Sequence, residues 1–359
     1  MAQLRTALYE RHQALEAKMV DFCGFVMPVQ YPQGIISEHK AVRNSCGIFD
    51  LSHMGEFEIS GSNSAQAVRR LVCNDTLALE DGQILYTPMC YENGTIVDDL
   101  LVYRHSADKW MLVVNAANIA KDREWIESKL PDEVEFVDRS PDVSLIALQG
   151  PKAAGILSEY VNVDDLKPFY FLETTIDEQS VLVSRTGYTG EDGFELYMGE
   201  TEAKYLWDLF VAHEDVAPVG LGARDTLRFE AKLMLYGNDI DDTTTPLEAG
   251  LGWTVKLGGA DFIGKEVLEK QKAEKPKRKL VGLELLGKGI PRHGYPVFYE
   301  GEEVGAVTSG TYSPSLEKSL ALAYVPRKMG KRGRSFEIGI RKRRVDALVV
   351  KTPFYKRGK

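Results

Sequence analysis

Residues 84–115 read ILYTPMCYENGTIVDDLLVYRHSADKWMLVVN. Three runs in it, 84–91, 95–104 and 109–115, are apolar and rich in β-branched and aromatic residues. Asn93-Gly94 and Ser106–Asp108 are turn chemistry, so the runs read as strands joined by hairpins. Upstream, MGEFEIS (54–60) alternates as a further strand, and Ser64 caps a short helix. Leu4, Leu8, His12 and Leu15 recur at helical spacing and predict a helix over 4–20. In FCGFVMPVQYPQG (22–34), Pro28, Pro32 and Gly34 should break regular structure. Downstream come a helix at 117–129, a strand at 143–149 and a helix opened by Gly150-Pro151. A strand at 180–186, the loop GYTGEDG, the strand Phe194–Met198 and helices at 201–214 and 223–235 follow. Strands and helices mixed with antiparallel hairpins predict α+β layers.

The pattern changes after residue 264. KEVLEKQKAEKPKRK (265–279) is almost wholly charged and reads as an exposed helix running into a linker. Beyond it LVGLELL, PVFYEGEEVGAVTSG, LALAYVP, SFEIGI and VDALVV are short strands, as in a small β-barrel or sandwich. The expected organisation is therefore 1–264, 265–279 and 280–359, and 359 residues suit two or three domains.

Composition removes several classes. There is no apolar run of 18 residues and no secretory or transit pattern at the N-terminus, which points to a cytoplasmic protein with no membrane partner. Cys23, Cys46, Cys73 and Cys90 form no CxxC and read as buried, inert thiols in a reducing compartment. No HExxH or other metal spacing, no GxSxG and no dinucleotide or phosphate-loop fingerprint occurs, so no metal is expected. Residues 327–359 carry thirteen Lys/Arg against Glu337 and Asp346, a net +11, which leaves −20 on the other 326 residues. Such a block is a solvated face or a surface for a partner of opposite sign. Nucleic acid is not that partner, because few aromatics interleave with the charges.

Three stretches carry candidate chemistry. In GTIVDDLLVY (94–103) both faces are apolar, and a carboxylate embedded there is costly unless paired or functional. Alternation sends Asp98 and Asp99 to opposite faces, so only one can look into a given pocket. In RTGYTGEDGFELY (185–197), glycines recur every third residue, Glu191 and Asp192 read as turn residues, and Glu195 sits inside an apolar strand. In GLGARDTLRFEAKLMLYGNDI (220–240), Arg224 and Arg228 lie four apart on one helix side. They serve either to grip a carboxylate or to pair locally with Asp225 and Glu230. His53 in SHMG reads more readily as structural than as a base.

These stretches, with FVMPVQY, GIFDLSHMGEFEISG, LQGP, PLEAGLGWTV and DFIGK, occur in one order. In that order the chain closely resembles the aminomethyltransferase (T-protein) family of the glycine cleavage system. The resemblance runs from about residue 4 to PRHGYPV and GAVTSGTYSPSL. It implies a three-domain cloverleaf around a channel, two α+β domains and a small β-barrel, with tetrahydrofolate as co-substrate. It implies a lipoylated H-protein as partner, bringing the aminomethyl group, and H-proteins are typically acidic, which would suit the basic segment. By resemblance, Asp99 is the essential aspartate and Glu195 the residue that holds the pterin. Met54, Tyr86, Val113, Asn115 and Tyr188 match channel positions, Arg224 matches an arginine near the folate tail, and Tyr236 is a further lining candidate. TPFYKRGK at the end aligns poorly. A demethylase on the same fold would usually carry a fused flavin domain. The iron–sulfur-assembly relatives carry KGCYxGQE, where this chain reads GWTVKLGGADFIGKE without a cysteine.

Overall fold

The structure, a computed structural model, describes residues 3–358. It divides into two compact units. The first comprises residues 1–68, 76–86 and 100–227; the second comprises 69–75, 87–99 and 228–359. Mixed helices and sheets in the first and a closed barrel in the second make this an α+β protein.

In chain order the strands of the first half are β1 (Lys18–Phe22), β2 (Phe25–Gln30), β3 (Cys46–Asp50), β4 (Gly55–Ser60), β5 (Ile84–Cys90), β6 (Ile96–Ser106) and β7 (Lys109–Val114). There follow β8 (Glu135–Asp138), β9 (Ser144–Gln149), β10 (Phe171–Ile176), β11 (Gln179–Ser184), β12 (Gly193–Met198) and β13 (Val216–Pro218). One sheet has the order β10-β11-β12-β9-β3-β13 and another β5-β6-β7-β4-β8.

Alternation sorts the first of these sheets into two cores. Ile146, Leu148, Phe194, Leu196, Val181 and Val183 point to one side, where Leu206, Trp207 and Phe210 of the helix Glu200–Val211 cover them. Leu145, Ala147, Tyr197, Phe49 and Leu51 point to the other. There they meet Tyr103, Val113, Leu101 and Met111 from β6 and β7, with Ala223 and Leu227 of the helix Leu221–Glu230. Of the candidate residues of the first unit, Val113 and Met54 belong to this second layer, and Glu195 faces it opposite Ala147.

The barrel strands are β14 (Arg278–Leu285), β15 (Pro296–Tyr299), β16 (Glu302–Ser313), β17 (Lys318–Pro326), β18 (Ser335–Ile340) and β19 (Arg343–Val350). They close in the order β14-β17-β16-β15-β18-β19, which decides for a barrel over a sandwich. Leu283, Val297, Ala321, Ala323, Phe336, Ile338 and Ala347 fill its interior. The charged stretch before it forms the helix Lys265–Glu274.

The N-terminus corrects the sequence expectation. A helix forms only at Tyr9–Ala14, and Glu16 ends it at φ 55°. Lys18–Phe22 then pairs with β2 in a hairpin whose two turn residues, Cys23 and Gly24, have φ 53° and 85°. That is the turn geometry that matches strand twist. Pro28 does not break β2; it sits opposite Met19, where the register shifts by a bulge in a two-stranded sheet. Cys23 is exposed, whereas the other three cysteines are buried as expected. Among the described residues no helix is long and apolar enough to cross a membrane.

Candidate functional site

Glu195 occupies the middle of β12, opposite Ala147 on one side and Ser184 on the other. It is 7% exposed and accepts a hydrogen bond of 2.5 Å from the Thr186 hydroxyl. That hydroxyl is 2.7 Å from Ser184 Oγ, Ser184 Oγ is 3.2 Å from the Tyr103 hydroxyl, and Tyr103 is 2.8 Å from the Tyr197 hydroxyl. A buried hydroxyl chain therefore ends on the Glu195 carboxyl. Burial raises the Glu195 pKa above 4.5, against the opposing pull of the Thr186 hydrogen bond and of Arg224. Burial likewise raises Tyr103 and Tyr197, so both remain neutral donors.

The loop before β12 is shaped by Gln149 of β9. A Cβ at Gly187 would lie 2.0 Å from the Gln149 amide oxygen, and one at Gly193 would lie 2.4 Å from its nitrogen. The amide donates to Thr186 O at 3.0 Å and accepts from the Thr189 hydroxyl at 2.8 Å. Gly190, with φ 82°, needs the left-handed region. Two glycines are thus set by close approach and one by conformation. Glu191 and Asp192 are more than turn residues. Arg43 donates to Glu191 at 2.8 Å and also to Thr189 O, and Arg185 grips Asp192 with two nitrogens. Held this way, the loop lays the Tyr188 ring under Arg224, whose guanidinium carbon is 4.5 Å from the ring centroid.

Glu195, Arg224 and Tyr188 are therefore brought together in the first unit, with Arg224 also acting on His53. His53 is 2% exposed, and its Nδ1 has no hydrogen-bond partner among the described residues. Burial and the Arg224 charge push its pKa down to about 4, so it is a neutral ring rather than a poised base. Met54 precedes β4, Val113 lies on β7 and Tyr86 on β5, while Asn115 follows β7 and precedes a short 3-10 turn. Met54 and Val113 pack in the same layer as Tyr103 and Tyr197.

In the second unit Asp98 and Asp99 differ as alternation requires: Asp98 is fully buried and Asp99 partly exposed. The Tyr236 hydroxyl donates to Ile96 O at 3.3 Å, which ties it to the strand that bears Asp99. Arg228 is taken for structure. It is 2% exposed and bonds Asp239 at 2.5 Å and Ser309 at 2.9 Å. Glu230 accepts from Ser313 and Ser315. The terminal TPFY also has a place, with Phe354 stacked on Phe229 and Tyr355 N donating to Glu230 O.

Sequence reading missed Glu56 on β4, buried with the same layer. In GEFEIS the acids alternate with Phe57 and Ile59, which is the signature of a half-solvated strand. Only the added sheet reveals that Glu56 is covered. Among the described residues no group of three or more His, Cys, Asp or Glu is arranged to hold a metal.

Comparison with known proteins agrees with the fold. Residues 8–259 match the GCVT N-terminal domain, and residues 278–356 match the glycine cleavage T-protein C-terminal barrel domain. The aminomethyltransferase of Halothermothrix orenii is 49% identical over 98% of this chain and 99% of its own length. That of Bacillus subtilis is 48% identical over 98% and 99%. The crystal structure of glycine cleavage system aminomethyltransferase T from Bartonella henselae superposes with a TM-score of 0.94 at 33% identity, covering 99% of this chain and 98% of that one. Matched in order from the mixed sheets to the barrel, the chain belongs to the glycine cleavage T-protein family of aminomethyltransferases.

Proposed function

We propose that the chain takes the aminomethyl group carried on the lipoyl arm of a glycine cleavage H-protein and passes its one-carbon unit to tetrahydrofolate. Ammonia, methylenetetrahydrofolate and dihydrolipoyl H-protein are the products. The observation that carries this reading is the correspondence, over almost the whole chain, with a solved glycine cleavage aminomethyltransferase.

Residue roles follow from local chemistry. Glu195 offers a buried carboxyl to the donor edge of the pterin, steadied by Thr186. Arg224, over the Tyr188 ring, is a cation suited to the carboxylates of the folate tail. Met54, Tyr86, Val113 and Asn115 supply contact surface for the ligand, and Tyr236 braces the strand of Asp99. Asp99 is the catalytic residue in this reading. The folate amine attacks the aminomethyl carbon as ammonia leaves, the C–S bond then breaks to release the lipoyl thiolate, and positive charge develops on the resulting iminium. A carboxylate at Asp99 orients the amine and stabilises that charge.

Purified protein incubated with aminomethylated H-protein and tetrahydrofolate should release ammonia and methylenetetrahydrofolate in equal amounts. Absence of either product with both substrates present sinks the reading.

A further inference from the structure

The layer between the two sheets of the first unit holds an acid to which the roles above assign nothing. Glu56 is 1% exposed, and neither of its carboxyl oxygens has a hydrogen-bond partner among the described residues. Its direction follows from strand register. Glu56 lies directly opposite Val113, and Val113 opposite Leu101. Residues directly opposed in antiparallel strands share a face. Val113 and Leu101 belong to the interlayer core, together with Ala147 and Tyr197 of the other sheet. Ala147 is the cross-strand partner of Glu195, and Tyr197 follows Glu195 by two residues on the same face. Glu56 and Glu195 thus project into one layer from opposite sheets, close enough for the Glu195 charge to act on Glu56.

A buried carboxyl without a partner opposes folding, and native chains retain few of them. Glu58, two residues on, shows the ordinary solution: it faces Lys109 at 3.3 Å and Arg139 at 3.6 Å. Glu56 has no such cation, although Val113 beside it shows that an aliphatic side chain fits this row.

We propose that Glu56 is a second ligand-holding residue of the folate layer, whose carboxyl hydrogen-bonds the heterocycle of the bound substrate. The inference rests on the folate reading above. Burial, with Asp138 and Glu195 nearby, keeps the Glu56 carboxyl protonated far above the ordinary carboxylate range. It therefore presents one O–H donor and one carbonyl acceptor. That pair complements a lactam edge, where a ring N–H lies beside a C=O. A carboxylate could only accept there. The acid is left unsatisfied in the protein because its partner arrives with the substrate.

The test is anaerobic calorimetric titration of tetrahydrofolate into wild type, Glu56→Gln and Glu56→Leu, with thermal melts of the ligand-free proteins. Glutamine keeps a donor and an acceptor, so its affinity should stay within about 3-fold of wild type, whereas leucine should weaken binding about 10-fold or more. Leucine should also leave the ligand-free melting temperature unchanged or higher, because it removes an unpartnered acid. A leucine variant that binds like wild type overturns the proposal. So does an affinity loss in leucine that tracks a lowered melting temperature, or a glutamine variant as weak as leucine. Failure of wild type itself to bind tetrahydrofolate overturns the folate reading, and this inference falls with it.

Discussion

Two buried acid sites in the same unit use opposite electrostatics. Asp50, 3% exposed at the end of β3, accepts from the Thr6 hydroxyl at 2.6 Å, His12 Nε2 at 2.9 Å and Ser52 N at 2.9 Å. The second ring nitrogen of His12 is in turn 2.9 Å from the Tyr31 hydroxyl. Burial alone would raise the Asp50 carboxyl, but these partners outweigh it and hold the pKa below 3.8. Glu195 and Glu56 share the same degree of burial but end above 4.5, one with a single neutral donor and the other with none. A carboxylate that stabilises the fold is saturated by it. One kept for a ligand retains unused hydrogen-bonding capacity and opposes folding until the ligand is bound.

The contrast breaks first at Asp50. Replacing it by Ala strands buried donors, which should cost about 3–5 kcal/mol in urea unfolding. Turnover per folded molecule should be unchanged. A loss below about 1 kcal/mol would mean that the network holds little. Glu195→Gln should behave inversely. Folate affinity should fall by about 10-fold or more, while stability moves by less than about 1 kcal/mol, because the substitution removes a buried ionisable group. Equal losses of stability and affinity would erase the distinction between the two sites.

The smallest effect is on pH dependence. The raised pKa of Glu56 and Glu195 favours the folded state fully below 4.5, and that contribution is lost as pH rises through their elevated folded values. His53 has the opposite sign. Its depressed folded value adds stability above 6.5 that is lost as pH falls towards about 4. Glu56→Gln should therefore flatten the decline of melting temperature as pH rises above 4.5, leaving the acid limb from His53 and Asp50 in place. An unchanged slope would show that Glu56 does not hold its proton in the folded protein.

The strand elements were readable where both faces or one face were cleanly apolar: β6, β7, β9, β12 and the barrel strands all fall near their expected places. The helix Ile35–Asn44 was not, because Gly34 gives it no side-chain cap and the polar Glu38 and His39 are buried in it. Glu38 there accepts from Tyr31 N, 7 residues back, and from Gly220 N, 182 residues on, and the second of these no local pattern announces. The helix expected over 223–235 ends at Glu230, where Lys232 takes φ 57°. Among candidate site residues, Glu195 was visible because an acid between Phe194 and Leu196 violates its strand. Glu56 obeyed the rule for a solvated strand face and stayed hidden. Arg228 looked equivalent to Arg224 by spacing, yet Asp239 and Ser309, which claim it, lie 11 and 81 residues away.

Asp99 carries the catalytic weight of the proposal and is the partly exposed member of its pair. Asp99→Asn preserves the shape of the side chain and removes its charge. In single-turnover reactions with aminomethylated H-protein, ammonia release should fall by about 100-fold or more, with tetrahydrofolate affinity held within about 3-fold. Near-normal release by that variant would contradict Asp99 as the residue on which transfer turns.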